Sequence, residues 1–147
     1  MIVDLRDNPG GLLDSVCDIL RKILPEGLIV YTEDKDGNRE EEKCDGKNEL
    51  RIPLAVLVNE SSASASEIFA GAVQDYGIGT IVGTTTFGKG VVQSIRQLSD
   101  GSAIKLTVAN YYTPKGNNIN KTGIKPDIEV SLDTRLLNKN KDEITHE

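Results

Sequence analysis

Two polar side chains are placed to do chemistry in this sequence: Ser64, in Ser61-Ser62-Ala63-Ser64-Ala65-Ser66-Glu67, and Lys89, in Phe87-Gly88-Lys89-Gly90-Val91-Val92-Gln93. The 147-residue chain holds one histidine, His146, next to the last residue of a polar tail. A serine nucleophile therefore lacks a histidine base in the body of the chain, and lysine is the remaining route to general-base chemistry at neutral pH. Lys89 lies between glycines, which allow close backbone approach, and just before an apolar strand that would carry its amine inward. Burial disfavours the ammonium form, so such a lysine can act as a neutral base. In an extended strand Lys89, Val91 and Gln93 share a face, and the Gln93 amide could hold the amine without adding charge. A solvent-facing turn lysine is the other reading of Gly-Lys-Gly.

Ser64 stands where an apolar strand hands over to a helix, on the side where open α/β folds usually bind ligands. The helix start offers free N–H groups and the positive dipole end, which suit the oxyanion of an acyl transfer. Ser64-Ala65-Ser66-Glu67 also matches S-x-x-E, so Ser64 can equally be an N-cap with Glu67 completing a capping box. The neighbouring serines leave the nucleophile's identity open. Asp7-Asn8-Pro9-Gly10-Gly11 is a second strand-to-helix turn, whose glycine amides could donate to an oxyanion or simply turn the chain. Gly83-Thr84-Thr85-Thr86-Phe87-Gly88-Lys89 fits the GxxxxGK phosphate loop. Gly90 then stands where a magnesium-binding hydroxyl is required, and the following residues read as strand rather than helix, which argues against a nucleotide.

The elements that must position these residues are legible in outline. Residues 2–5 read as a buried strand. From Leu12 to Leu24 apolar residues recur at helical spacing, with Asp14 early, Arg21 and Lys22 late, and Pro25 closing the helix. Residues 28–32 form the next strand. The acidic stretch 33–49 carries Asp36-Gly37 and Asp45-Gly46, signals of a hairpin or exposed excursion. Residues 54–58 are a continuous apolar run, as in the centre of a parallel sheet. A second helix follows, with Ile68, Phe69, Ala72, Val73 and Tyr76 on one face, and then a short strand over 79–83. Residues 91–98 and 103–112 form a hairpin about Ser99-Asp100-Gly101-Ser102, and 127–130 add an edge strand. Strand–helix alternation followed by a hairpin gives an α/β fold with a largely parallel, mixed sheet.

Length suits one domain with a real core, and 37% hydrophobic with 27% charged residues suits a globular one. A net charge of −6 offers no basic stripe for nucleic acid. No apolar run reaches the roughly 20 residues of a membrane span, and Met1 leads straight into Ile2-Val3-Asp4-Leu5 without a cleavable signal. Cys17 and Cys44 are too few and too far apart for a zinc site. Cys17 falls on the apolar helix stripe and is expected in the core. Cys44 is expected as a surface thiol in an acidic loop.

Taken in series, these motifs carry a resemblance. Asp4-Leu5-Arg6-Asp7-Asn8-Pro9-Gly10-Gly11, Val58-Asn59 through Ser64-Ala65-Ser66-Glu67-Ile68, and Phe87-Gly88-Lys89-Gly90 to Gln93 stand in order. Asp100-Gly101-Ser102, Tyr112-Thr113-Pro114 to Gly116, Ile119-Asn120, Gly123-Ile124 and Pro126-Asp127 continue the match, so that it spans residues 2–130. The chain resembles the carboxyl-terminal processing (tail-specific) peptidases, serine proteases with a Ser–Lys dyad. The resemblance implies Ser64 as nucleophile, Lys89 as general base and Gln93 as the residue that orients the lysine. It implies oxyanion donors in the backbone amides of Ala65 and a glycine of the 8–11 turn, Gly11 by preference. The implied fold is ClpP/crotonase-like, with flanking helices and a C-terminal hairpin. The implied reaction is peptide hydrolysis through an acyl-enzyme, without metal or cofactor. Implied substrates are proteins with exposed C-terminal tails, and the parent enzyme is expected to be exported to the envelope, periplasm or exterior. Family members carry a PDZ domain and further core segments before the Asp-Leu-Arg motif. Residues 1–131 are therefore expected to be the C-terminal part of a peptidase core and 132–147 a polar, fraying tail, with little turnover by this chain alone.

Two other classes compete. One is a non-catalytic peptide-binding or scaffold domain in which Lys89 never reaches Ser64. The other is a crotonase-like acyl-CoA enzyme that shares only the fold and the oxyanion hole, against which no basic cluster for CoA phosphates is present. Oligomeric state, natural substrate and cleavage preference are not encoded in any pattern of the sequence.

Overall fold

A computed structural model describes residues 1–131; the tail over 132–147, and His146 with it, lies outside the described residues. The chain runs β1 (Ile2–Asp4), α1 (Leu13–Leu20), β2 (Gly27–Asp34), β3 (Arg39–Cys44), β4 (Ala55–Val58), α2 (Ala65–Tyr76), β5 (Thr80–Gly83), β6 (Val91–Gln97), β7 (Ala103–Tyr112) and β8 (Ile128–Glu129). The α/β class expected from the sequence holds. The strands sort into two sheets rather than one: a parallel sheet ordered β1-β4-β5-β8 and an antiparallel sheet ordered β3-β2-β7-β6.

The parallel sheet is built on the apolar run that ends at Val58. Val56 pairs with Val3 on one side and with Ile81 on the other, and Val56, Val58 and Ile81 are almost wholly buried. Val56 and Val58 point into the core while Ala55 and Leu57 on the other face are only partly covered, so β4 is apolar throughout although its burial alternates. β8 closes the far edge, with Ile128 opposite Val82. The antiparallel sheet joins two hairpins through β2 and β7, with Tyr31 opposite Tyr112 and the two rings stacked 4.8 Å apart. Arg39 lies over the Tyr31 ring, a favourable position for a guanidinium.

α2 packs against β5 of one sheet and β2 of the other, and α1 packs against α2 and β3. The shared core includes Leu20, Leu24, Ile29, Val30, Ala70, Ala72 and Val73. Tyr76, at the end of α2, donates its hydroxyl to the Leu28 carbonyl at 2.9 Å, fastening the helix to β2. Gly77 terminates the helix in the left-handed conformation, φ 65°, a common way to end one.

Three local expectations are corrected. β1 is not a buried strand: it is the edge of its sheet, with Ile2 and Asp4 exposed and Val3 half-buried. α1 ends at Leu20, with Arg21 as its C-cap and no basic residue in its last turn. Beyond it Lys22 and Ile23 bond back three residues, to Ile19 and Leu20, so the chain tightens into a turn while Ile23 and Leu24 remain buried. Cys44 is not a surface thiol but is 4% exposed. It ends β3 opposite Gly27, where its Sγ donates to the Leu24 carbonyl at 3.4 Å beneath the end of α1. Cys17 is in the core as expected.

Candidate active site

The three motifs leave the carboxyl ends of three adjacent parallel strands. The 7–11 turn follows β1, the 59–64 stretch follows β4, and the 84–90 loop follows β5. In an open α/β sheet this end is the usual ligand crevice. The middle loop ties in the other two. Asn59 accepts from the Asp7 N–H and donates to the Asp7 carboxylate, each at 2.9 Å. The Ala63 N–H reaches the Asn8 carbonyl at 3.0 Å, and the Phe87 N–H reaches the Ser62 carbonyl at 2.9 Å.

Ser64 immediately precedes α2, as the S-x-x-E pattern requires, but in an unusual conformation. Its φ is 57° and its ψ −116°, a region in which glycine is at home and serine is strained by roughly 1–3 kcal/mol. The Ser64 N–H donates to Glu67 Oε2 at 2.9 Å, closing a capping box with that residue, and the Ser64 hydroxyl donates to no acceptor among the described residues. The neighbouring serines are otherwise occupied. Ser62 Oγ donates to the Leu5 carbonyl at 2.7 Å and Ser66 Oγ donates to the Asn8 carbonyl at 3.0 Å. The Ser64 hydroxyl has no carbonyl partner of this kind.

The glycine turn is pressed against this serine. A Cβ added at Gly10 would lie 2.5 Å from Ala63 O, 2.8 Å from Ala65 N and 2.9 Å from Ser64 Cβ. Only glycine fits there, the more so because its φ is +94°. The Gly10 N–H is spent on Asn8 Oδ1 at 2.9 Å. Neither the Ala65 nor the Gly11 N–H has an acceptor among the described residues. The amides left open beside Ser64 are thus those of Ala65 and Gly11, while Gly10 supplies the close approach.

Lys89 is half-buried at the end of the β5–β6 loop. Its backbone N–H donates to Glu67 Oε2 at 2.8 Å, the same oxygen that takes the Ser64 N–H. Two amides that share one oxygen are no further apart than those bonds laid end to end, so the two backbones are neighbours. The Ser64 hydroxyl and the Lys89 amine are not hydrogen-bonded to one another, and Lys89 makes no ion pair among the described residues. Gln93 is exposed on β6. Lys89 precedes that strand, so strand alternation does not by itself put the two on one face. The loop leads into β6 and opens no helix, which disposes of the phosphate-loop reading.

Glu67 went largely unread in the sequence, where S-x-x-E signalled only a cap. It is fully buried. Besides Ser64 and Lys89, it accepts from the Thr86 hydroxyl and the Gly88 N–H, both at 2.6 Å. Nothing in the spacing of the sequence shows that a loop some 20 residues on supplies three of its four donors.

A groove of about 480 Å³ adjoins the turn. Leu5, Leu12, Val16, Ile19, Ile23 and Phe69 supply its apolar wall, and Gly10, Gly11 and Ala65 line it as well. At the outer end of β1, the Arg6 guanidinium and amide hold the exposed Asp4 carboxyl down to about 2. Among the described residues no cluster of three or more metal-ligating side chains is present, and no helix is long and apolar enough to cross a membrane.

Comparison with known proteins agrees with this fold. The profile of Peptidase family S41 matches residues 1–130. A carboxyl-terminal-processing protease of Synechocystis sp. is 53% identical over 126 residues, which are 86% of this chain and 30% of that protein. The chloroplastic C-terminal processing peptidase of Tetradesmus obliquus is 43% identical over 138 residues, 93% of this chain and 29% of that protein. Among solved structures, the photosystem II D1 C-terminal processing protease superposes with a TM-score of 0.84 at 43% identity, over 88% of this chain and 34% of that one. The chain spans about a third or less of these relatives' lengths. Its parallel sheet, antiparallel sheet and interleaved helices are those of a ClpP/crotonase-like fold, and the chain belongs to Peptidase family S41.

Proposed function

We propose that this chain is the nucleophile-bearing part of a serine peptidase that cleaves protein substrates selected by their C-terminal tails. The observation that carries the reading is Ser64 itself. It is a serine forced into a glycine-like turn at a helix start, its hydroxyl proton donated to no neighbour, beside the open amides of Ala65 and Gly11. Strain of this kind survives only where the surroundings impose it, and it concentrates at reactive sites.

In this mechanism neutral Lys89 Nζ takes the proton from Ser64 Oγ as that oxygen attacks the scissile carbonyl carbon. The N–H groups of Ala65 and Gly11 hold the resulting oxyanion. The ammonium then gives its proton to the departing amine, leaving an acyl-enzyme on Ser64. Water, deprotonated by the same amine, releases the new C-terminus. Gln93 enters as the residue that orients Lys89 through family resemblance, and its exposed side chain must turn toward the amine to do so. The apolar groove beside the glycine turn suits apolar tail residues. Export of the parent enzyme follows from the same resemblance.

The test is made in the full-length protein that carries this sequence. Ser64→Ala and Lys89→Ala should each abolish cleavage of a polypeptide bearing an apolar C-terminal tail, and unchanged cleavage in either rejects the assignment. A non-catalytic peptide-binding domain is the second reading, favoured by the lack of a hydrogen bond between the Ser64 hydroxyl and the Lys89 amine. Tail binding without cleavage by the wild-type protein would establish it.

A further inference from the structure

Glu67 takes no part in the chemistry just described, yet it is the most heavily hydrogen-bonded side chain at the site. A carboxylate with no accessible surface is costly unless its acceptor sites are filled. Glu67 fills them without a cation. Oε1 accepts from Thr86 Oγ1 and the Gly88 N–H, and Oε2 from the Ser64 and Lys89 N–H groups. A capping box asks of the Glu67 side chain only the bond to the Ser64 N–H. The other three donors come from the 86–89 loop, on another element. Thr86 is held in turn, because its Oγ1 accepts from the Ile124 N–H at 2.7 Å.

We propose that Glu67 is a positioning residue. Its buried carboxylate fixes the separation of Ser64 and Lys89 by holding both backbone amides on one oxygen, while its other oxygen stops the glycine-flanked loop from carrying Lys89 away. The proposal rests on the Ser64–Lys89 reading above. The requirement for an acid follows from the donor set. Three N–H groups and one hydroxyl leave no place for a further donor, and an amide at this position would aim its NH₂ at two of them. The loop needs such a staple because Gly88, at φ +85°, and Gly90 leave its backbone little intrinsic preference.

The experiment uses the full-length protein and a fluorophosphonate probe, in which Ser64 Oγ displaces fluoride from phosphorus as its proton passes to the base. The second-order rate of labelling is measured per folded molecule, with folding followed separately by thermal unfolding. Lys89→Ala should slow labelling by about 10²–10⁴-fold. Glu67→Gln should slow it by roughly 10–100-fold, the cost of a base displaced by about an ångström. The double variant Glu67→Gln/Lys89→Ala should be no slower than Lys89→Ala, because Glu67 acts through that lysine. Multiplication of the two effects, or wild-type labelling by folded Glu67→Gln, would reduce Glu67 to a cap and overturn the proposal.

Should Glu67→Gln fail to fold, the Thr86 hydroxyl gives a second route. Thr86→Val should slow labelling about tenfold, as the loop end of the staple loosens, and Thr86→Ser should restore it. Equal rates in wild type and Thr86→Val would again overturn the proposal. Lys89→Ala labelling as fast as wild type is a separate result, and it would remove the Ser–Lys reading itself.

Discussion

Replacing Gly10 by alanine tests whether the glycine turn has to touch the serine turn. The added Cβ would lie 2.5 Å from Ala63 O and 2.8 Å from Ala65 N, so the two backbones must part by about 1 Å to reach ordinary contact. The alanine must also hold φ near +94°, a cost of about 1–2 kcal/mol. Strain and separation together should lower stability by about 2–4 kcal/mol, or roughly 5–15 °C in melting temperature for a domain of this size. The catalytic effect should exceed what stability alone explains. A displacement of about 1 Å between the Ala65 and Gly11 amides and the reacting carbonyl should reduce kcat/KM by about 10²-fold, equivalent to about 3 kcal/mol of transition-state stabilisation. The assay is kcat/KM on a tail peptide in the full-length protein, at a temperature where differential scanning calorimetry shows the variant folded. Gly77→Ala is the control. Gly77 also has positive φ, 65°, but nothing lies within 4 Å of its added Cβ, so it should lose about 1 kcal/mol of stability and no activity. A folded Gly10→Ala enzyme turning over within about twofold of wild type would refute the link between this contact and the proposed oxyanion site.

Other parts of the fold give independent tests. Tyr76→Phe removes the bond to the Leu28 carbonyl and should cost about 1 kcal/mol in urea unfolding; no loss would mean that water replaces the hydroxyl freely. Burial, reinforced by the nearby charge of Glu42, pushes the Cys17 thiol up from 9.0 to about 11. Between those pH values the unfolded chain has released its thiol proton and the folded chain has kept it, so stability falls as pH rises. The drop should reach about 2–3 kcal/mol by pH 11. Cys17→Ala should flatten that part of the curve, leaving the contributions of Tyr76 and Tyr111 in both proteins; an identical decline in wild type and variant would contradict the assignment.

How far the sequence could be read depended on whether a feature is local. β4 and α2 were legible because an apolar run and an S-x-x-E start are properties of neighbouring residues. The same holds for the β6–β7 turn, where Gly101 has positive φ and the Ser102 N–H reaches the Asp100 carboxylate. The pairing of β2 with β7 was not legible, since alternation shows that a strand has an inner face but not which strand lies beside it. Cys44 was misjudged because its acidic neighbours face outward while the strand's pleat turns the thiol inward. At the site, residue types and spacing marked Ser64, Lys89 and the glycine turn as candidates, and family resemblance chose among the serines. The backbone strain at Ser64 and the four donors on Glu67 depend on contacts between separate loops, and no local pattern records those.

The most direct measurement is to trap the covalent intermediate. The full-length protein is mixed with an activated ester of a tail-like peptide, quenched in acid during turnover, digested and mapped by mass spectrometry. The acyl group should be found on Ser64 and on no other serine of 61–66, and it should not accumulate in Lys89→Ala. Acylation of Ser61, Ser62 or Ser66, or full turnover with no acyl-serine at any quench time, would contradict the account.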